Sequence, residues 1–164
     1  MSVTDRAKLR PTDDRGADAS MQLDPVTRSR IALQRRTGQA YGQDAFRYLL
    51  ETERRRAERS RRPILLLLVN LKKQGANSER IAPATATAIF GGLCLCVREV
   101  DFVGWFREGR VAGVVLSQGA EPHSQDVPRV LGERIAQVVR EHVSSAIADR
   151  LHVRVLQLRP GGRR

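Results

Sequence analysis

Phe102-Val-Gly-Trp-Phe-Arg-Glu-Gly-Arg-Val-Ala-Gly-Val-Val-Leu116 decides the fold expected of this chain. Two short β-branched or aromatic runs, Phe102 to Phe106 and Val111 to Leu116, flank the polar tetrad Arg107-Glu-Gly-Arg110. The tetrad has the length and composition of a hairpin loop, with Gly109 free to take the positive φ of the turn. A lone hairpin is barely stable in water, so neighbouring segments must supply more strands and the helices that cover them.

Upstream, Pro83 to Val97 opens with a proline that a first helical turn tolerates and carries Ile89, Phe90, Leu93 and Val97 at helical spacing. Gly91-Gly92 inside it reads as a close packing contact rather than a phosphate cradle. Before that, Ile64-Leu-Leu-Leu-Leu-Val69 is a continuous apolar run between breakers, the pattern of a central strand buried on both faces. A helix from Asp44 to Arg62, halted by Pro63, precedes it with an apolar stripe of Phe46, Leu49 and Leu50 and a solvated face of Arg54, Arg55, Arg56 and Arg59.

Downstream, Val127 to Ile147 repeats apolar residues as an amphipathic helix, and Leu151 to Leu158 alternates strictly as a half-buried last strand. Together these segments read as α+β: a ferredoxin-like or palm-type sandwich, βαββαβ with an N-terminal helix. Its antiparallel sheet is expected to carry helices on one face, as in nucleotidyl cyclases. Residues 1–38 lack sustained periodicity and read as a flexible basic segment with a short helix around Val26 to Arg35; residues 39–159 form the domain and 160–164 a polar tail.

No run approaches the roughly 20 apolar residues of a membrane span. Asp5, Arg6, Lys8 and Arg10 have no apolar block behind them and do not read as a secretory signal, so the expected location is cytoplasmic. Cys94 and Cys96, without a second pair or a nearby histidine, read as buried, reduced thiols rather than zinc ligands. The net charge of +11, carried mostly by arginine, suits polyanionic partners or simply a basic surface. An aromatic content of 4% leaves few platforms for stacking bases, which argues against nucleic acid.

Three blocks, in order, resemble the GGDEF (diguanylate cyclase) family over residues 40 to 158. Gly42-Gln-Asp-Ala-Phe-Arg-Tyr-Leu-Leu50 with the Arg-rich helix and apolar strand resembles the family's opening helix and first palm strand. Cys96-Val-Arg-Glu-Val-Asp-Phe-Val103 is similar to the segment that leads into its signature hairpin. The hairpin itself reads Arg107-Glu108-Gly109-Arg110-Val111 where the family carries Gly-Gly-Asp/Glu-Glu-Phe.

The resemblance implies a reaction joining two GTP molecules into cyclic di-GMP, with carboxylates on the first strand and hairpin holding divalent metal. Here the first-strand position is Val69 or Asn70, with Lys72 beyond it, and the hairpin offers Gly109 and Arg110. An amide lacks the charge a divalent ion wants, and Lys72 and Arg110 repel one. Arg107 and Glu108 replace glycines that let the backbone approach a nucleotide. The expectation is a degenerate, non-catalytic domain with no catalytic residues, metal or cofactor. Asn77 is the one candidate for the family's guanine-reading asparagine.

Arg98-Glu-Val-Asp101 lies five residues ahead of the hairpin signature, the place of the family's Arg-x-x-Asp inhibitory site. By that resemblance Arg98 and Asp101 are candidate ligands for cyclic di-GMP: a guanidinium grips a guanine edge or phosphate, and a carboxylate accepts the guanine N–H protons. An arginine at a helix C-terminus and an aspartate opening a strand are equally ordinary structural features.

Three functions stand on this reading. One is a regulatory module that binds cyclic di-GMP or a protein partner. Another is a scaffold or homodimerising domain with a basic face. The third is a divergent cyclase with carboxylates from elsewhere, such as Glu108. His123, His142 and His152 fall on a loop, a helix and a strand and suggest neither a metal triad nor a catalytic base. No Ser-His-Asp order, Walker glycine loop or His-Glu-x-x-His occurs, and Trp105 and Phe106 read as core or interface.

Overall fold

The computed structural model describes residues 40–73, 78–116 and 126–161. The elements run α1 (Gln43–Ser60), β1 (Ile64–Leu71), α2 (Pro83–Cys96), β2 (Phe102–Arg107), β3 (Val111–Leu116), α3 (Val127–His142), α4 (Ser145–Ala148) and β4 (Leu151–Leu158). The expected helix around Val26, His123 and Asn77 all fall outside the described residues.

The four strands form one antiparallel sheet in the order β2-β3-β1-β4. β1 is central, as its unbroken apolar run requires, and pairs over its whole length with β4, from Ile64↔Leu158 to Leu71↔Leu151. Gly109 takes φ +66° in the hairpin turn, where Arg110 N–H donates to the Arg107 carbonyl at 3.0 Å.

Because side chains alternate along a strand, β1 divides between two cores. Leu65, Leu67, Val69 and Leu71 meet Ile89 and Leu93 of α2 and Ile135 and Val139 of α3. Ile64, Leu66 and Leu68 share the opposite core with Phe46, Leu49 and Ala57 of α1. The sheet therefore has helices on both faces, which corrects the one-face expectation. The physical reason is that a strand apolar on both faces needs cover on both.

Gly92 is a helix-crossing contact, since a Cβ there would lie 3.1 Å from the Val139 Cα; Gly91 is exposed and packs on nothing. Two further expectations need correction. The helix read through to Ile147 stops at His142, where Val143 turns extended (φ −116°, ψ 163°). Its carbonyl-side neighbour Ser144 then accepts from the amides of Ile147 and Ala148 to start the single turn α4, and both Val143 and Ile147 still reach the core. Cys94 is exposed and Cys96 half-buried, neither in a disulfide, because α2 is apolar all round and only one of its faces is covered.

Candidate functional site

The two candidate loci sit at opposite ends of β2. Arg98 and Asp101 precede its first residue, and the signature positions begin at its last. A strand of this length separates them by roughly 17 Å at about 3.3 Å per residue. They are two sites, not one.

At the first, Asp101 organises the loop between α2 and β2. Its Oδ2 accepts from the Arg98 backbone N–H at 2.9 Å and lies 3.4 Å from the Arg98 Nε, while the Asp101 N–H donates to the Arg98 carbonyl at 3.0 Å. The two side chains differ sharply in access: Arg98 is 59% exposed and Asp101 1%. The sequence pairing is therefore present, but as an outward guanidinium steadied by a buried carboxylate. Leu95 and Val100, large apolar residues close to Arg98 in the chain, are also exposed.

This asymmetry separates two variants. Asp101→Ala leaves the Arg98 N–H and its surroundings without their buried acceptor and is expected to cost about 1–3 kcal/mol. Arg98→Ala removes a mostly exposed guanidinium and its ion pair and is expected to change stability by less than about 1 kcal/mol. Urea unfolding of both checks this; equal losses would mean that the guanidinium, not the backbone amide, is what Asp101 holds.

At the second locus, each signature position has a structural task. Glu108 accepts the Gln43 N–H on Oε2 at 3.2 Å, and its own N–H donates to the Gln43 Oε1 at 2.6 Å. A carboxylate at the start of α1 satisfies an unpaired amide and complements the helix dipole. The Gly109 carbonyl accepts from Ile81 N–H at 2.8 Å. Arg110 Nη1 donates to the Ser78 carbonyl at 2.7 Å, and the Ser78 hydroxyl lies 3.2 Å from the Asn70 Nδ2. Ser78 thus joins Asn70 to Arg110, and Asn70 is directly opposite Val111 in the sheet.

A divalent cation does not fit this arrangement. Asn70 offers one neutral oxygen, Oδ1, which is buried without a hydrogen-bond partner. A side chain built at Gly109 would begin 3.9 Å from the Arg80 Nε, and Lys72, bridged to Ser78, adds a further charge of the wrong sign. His152 faces Asn70 across the β1–β4 ladder. Partial burial, then Lys72 and Arg154, lower its pKa below the ordinary histidine value. Desolvation raises the thiols of Cys94 and Cys96, countered in part at Cys96 by Arg134, so neither is an activated nucleophile. His142 is elsewhere, its Nδ1 2.8 Å from the Val138 carbonyl.

Sequence reasoning missed Gln43, Ser78 and Arg80 at the hairpin tip. It placed Trp105 and Phe106 correctly: Trp105 meets Phe90 edge-on at 4.9 Å on one face and Phe106 meets Phe46 at 6.5 Å on the other. Among the described residues no helix is long and apolar enough to cross a membrane. No protein-family model matches the chain, and no curated protein matches its sequence.

Proposed function

We propose that this chain is a non-catalytic regulatory domain of the GGDEF-like type, with a ferredoxin-like or palm-type βαββαβ core, that binds cyclic di-GMP through Arg98. The observation that carries the reading is the outward Arg98 guanidinium, steadied by the buried Asp101 at the register where the family keeps its inhibitory site. The strand order β2-β3-β1-β4, antiparallel throughout, supports the core assignment. The structural tasks of Glu108, Gly109 and Arg110 support loss of catalysis, since residues that hold the hairpin tip are not available to hold metal.

In this role Arg98 supplies paired donors to a guanine edge or a phosphate, and Asp101 is a positioning residue that fixes the loop. Isothermal titration with cyclic di-GMP, with GTP and magnesium as control, tests it. The expected result is binding at about micromolar Kd that Arg98→Ala weakens roughly 10- to 100-fold, the worth of hydrogen bonds to a charged group. Affinity unchanged in Arg98→Ala would overturn the assignment.

A second reading, a protein-binding scaffold, is favoured by one observation: Leu95 and Val100 are 70% and 61% exposed near Arg98. Apolar side chains held in water beside an arginine suit the centre of a protein interface. No heat with either nucleotide, together with a partner whose binding is lost in Leu95→Asp, would favour this reading over the first.

A further inference from the structure

The sheet treats its two edges differently. The outer edge of β2 is occupied: Tyr41 pairs with Gly104, donating from its N–H to the Val103 carbonyl at 2.9 Å and accepting the Trp105 N–H at 2.8 Å. The outer edge of β4 has no such cover, since among the described residues β4 pairs with β1 alone. Lys72 N–H bonds to the Arg150 carbonyl at 2.9 Å, and this pair continues the β1–β4 register. Bonded and non-bonded pairs alternate in an antiparallel ladder, so Val153, Val155 and Gln157 aim their backbone N–H and C=O groups outward.

Natural monomers blunt such edges with bulges, prolines, very short strands or charged side chains, and of these β4 carries the charge, Arg154, which bars like-charged strands. β4 runs for eight residues in continuous register, with no proline before Pro160. Beside it lies a groove of about 660 Å³ between β4 and α3. Its floor is Val153 and Val155 of the strand with Gly132 and Ala136 of the helix; Arg140 and the ion pair of Arg129 with Glu133, 2.9 Å apart, also line it. Gly132 lets α3 lie close against the strand at one point of the groove, since a Cβ there would meet the Val155 Cγ2 at 3.0 Å. On the opposite face of the strand Arg154 is exposed.

We infer that β4 is a docking edge for an extended acidic peptide segment of a partner protein. The peptide adds as a fifth strand; its alternate apolar side chains enter the groove, and its carboxylates meet Arg154 on one face and Arg140 on the other. Charge decides the occupant. A second copy would add its own Arg154 and Arg159 to the same edge and double the positive charge there, whereas an acidic strand is complementary to both. This surface does not depend on Arg98 or on any nucleotide.

The test uses the full chain, labelled for amide NMR, with a peptide of about eight residues that alternates valine and glutamate. A matching valine and lysine peptide is the control. The expected result is that the acidic peptide shifts the amides of Val153, Val155 and Gln157 and slows their exchange, while the basic one leaves them unchanged. Val155→Pro removes an outward donor without breaking the ladder to β1, and Arg154→Glu reverses the exposed charge. Each is expected to weaken binding at least about tenfold. Shifts that are absent from β4, or equal for both peptides, would overturn the inference. So would concentration-dependent protection of the same amides in the chain alone with a dimeric mass, which would assign the edge to a second copy.

Discussion

Phe46→Ala is expected to destabilise the domain by about 3–5 kcal/mol, the cost of emptying a fully buried aromatic site. Phe46 is 0% exposed and is the keystone of the α1 face of the sheet. Its ring makes edge-on contacts with Phe102 at 5.6 Å and Phe106 at 6.5 Å. It occupies a pit formed by two glycines directly opposite each other, Gly104 and Gly113. A Cβ on Gly113 would fall 2.6 Å from the Phe46 Cζ, so the strands leave out side chains where the ring sits. The rest of the pit is built from β2 and β3, which do not collapse into the space a lost ring leaves. α1 also carries Gln43, so the loss propagates to Glu108 at the hairpin tip. Guanidinium unfolding measures the effect, and a loss under about 1 kcal/mol would show that α1 is not an integral layer. In a Phe46→Leu background, Gly113→Ala is expected to cost less than in the native chain, because the two sites share one space.

The elements were legible where periodicity is strong and local. The run from Ile64 to Val69, the hairpin around Gly109 and the alternation from Leu151 to Leu158 each dictate a strand without reference to anything distant. The cover on both faces was also implicit in β1, since six consecutive buried residues cannot be satisfied by helices on one side. The break after His142 was not legible, because Val143 and Ile147 continue the helical spacing and differ only in a backbone turn. Cys94 misled because an apolar neighbourhood in sequence does not say which face of α2 is covered.

The candidate site was legible as residues but not as contacts. The family resemblance paired Arg98 with Asp101, and an i, i+3 relation across a turn keeps such a pair together. Which partner is buried depends on packing that spacing does not encode. At the hairpin tip the substitutions from the family pattern were visible, whereas the new tasks were not. Gln43 reaches Glu108 from 65 residues away and Arg110 reaches Ser78 from 32. Only the sheet brings those segments together, so no local pattern could have named them.

Gly104→Ala is expected to cost about 2–4 kcal/mol through a clash that the backbone cannot avoid. A Cβ at this position would lie 2.6 Å from the Tyr41 carbonyl oxygen and 2.8 Å from its Cβ, both part of the Tyr41 strap that covers the β2 edge rather than the end of a flexible side chain. The strap must move, and with it go its two hydrogen bonds to Val103 and Trp105. Tyr41 is 3% exposed and meets Phe102 edge-on at 6.4 Å, so its departure also uncovers that ring. The variant then has open edges on both β2 and β4, and an edge stripped of its partner is prone to pair with another chain. Urea unfolding should show the lost stability, and amide exchange should quicken at Tyr41 and Trp105, the two donors of those bonds, but not in β4. A variant with native stability and native exchange at those amides would mean that Tyr41 does not close the β2 edge. The contrast that makes β4 a docking edge would then disappear with it.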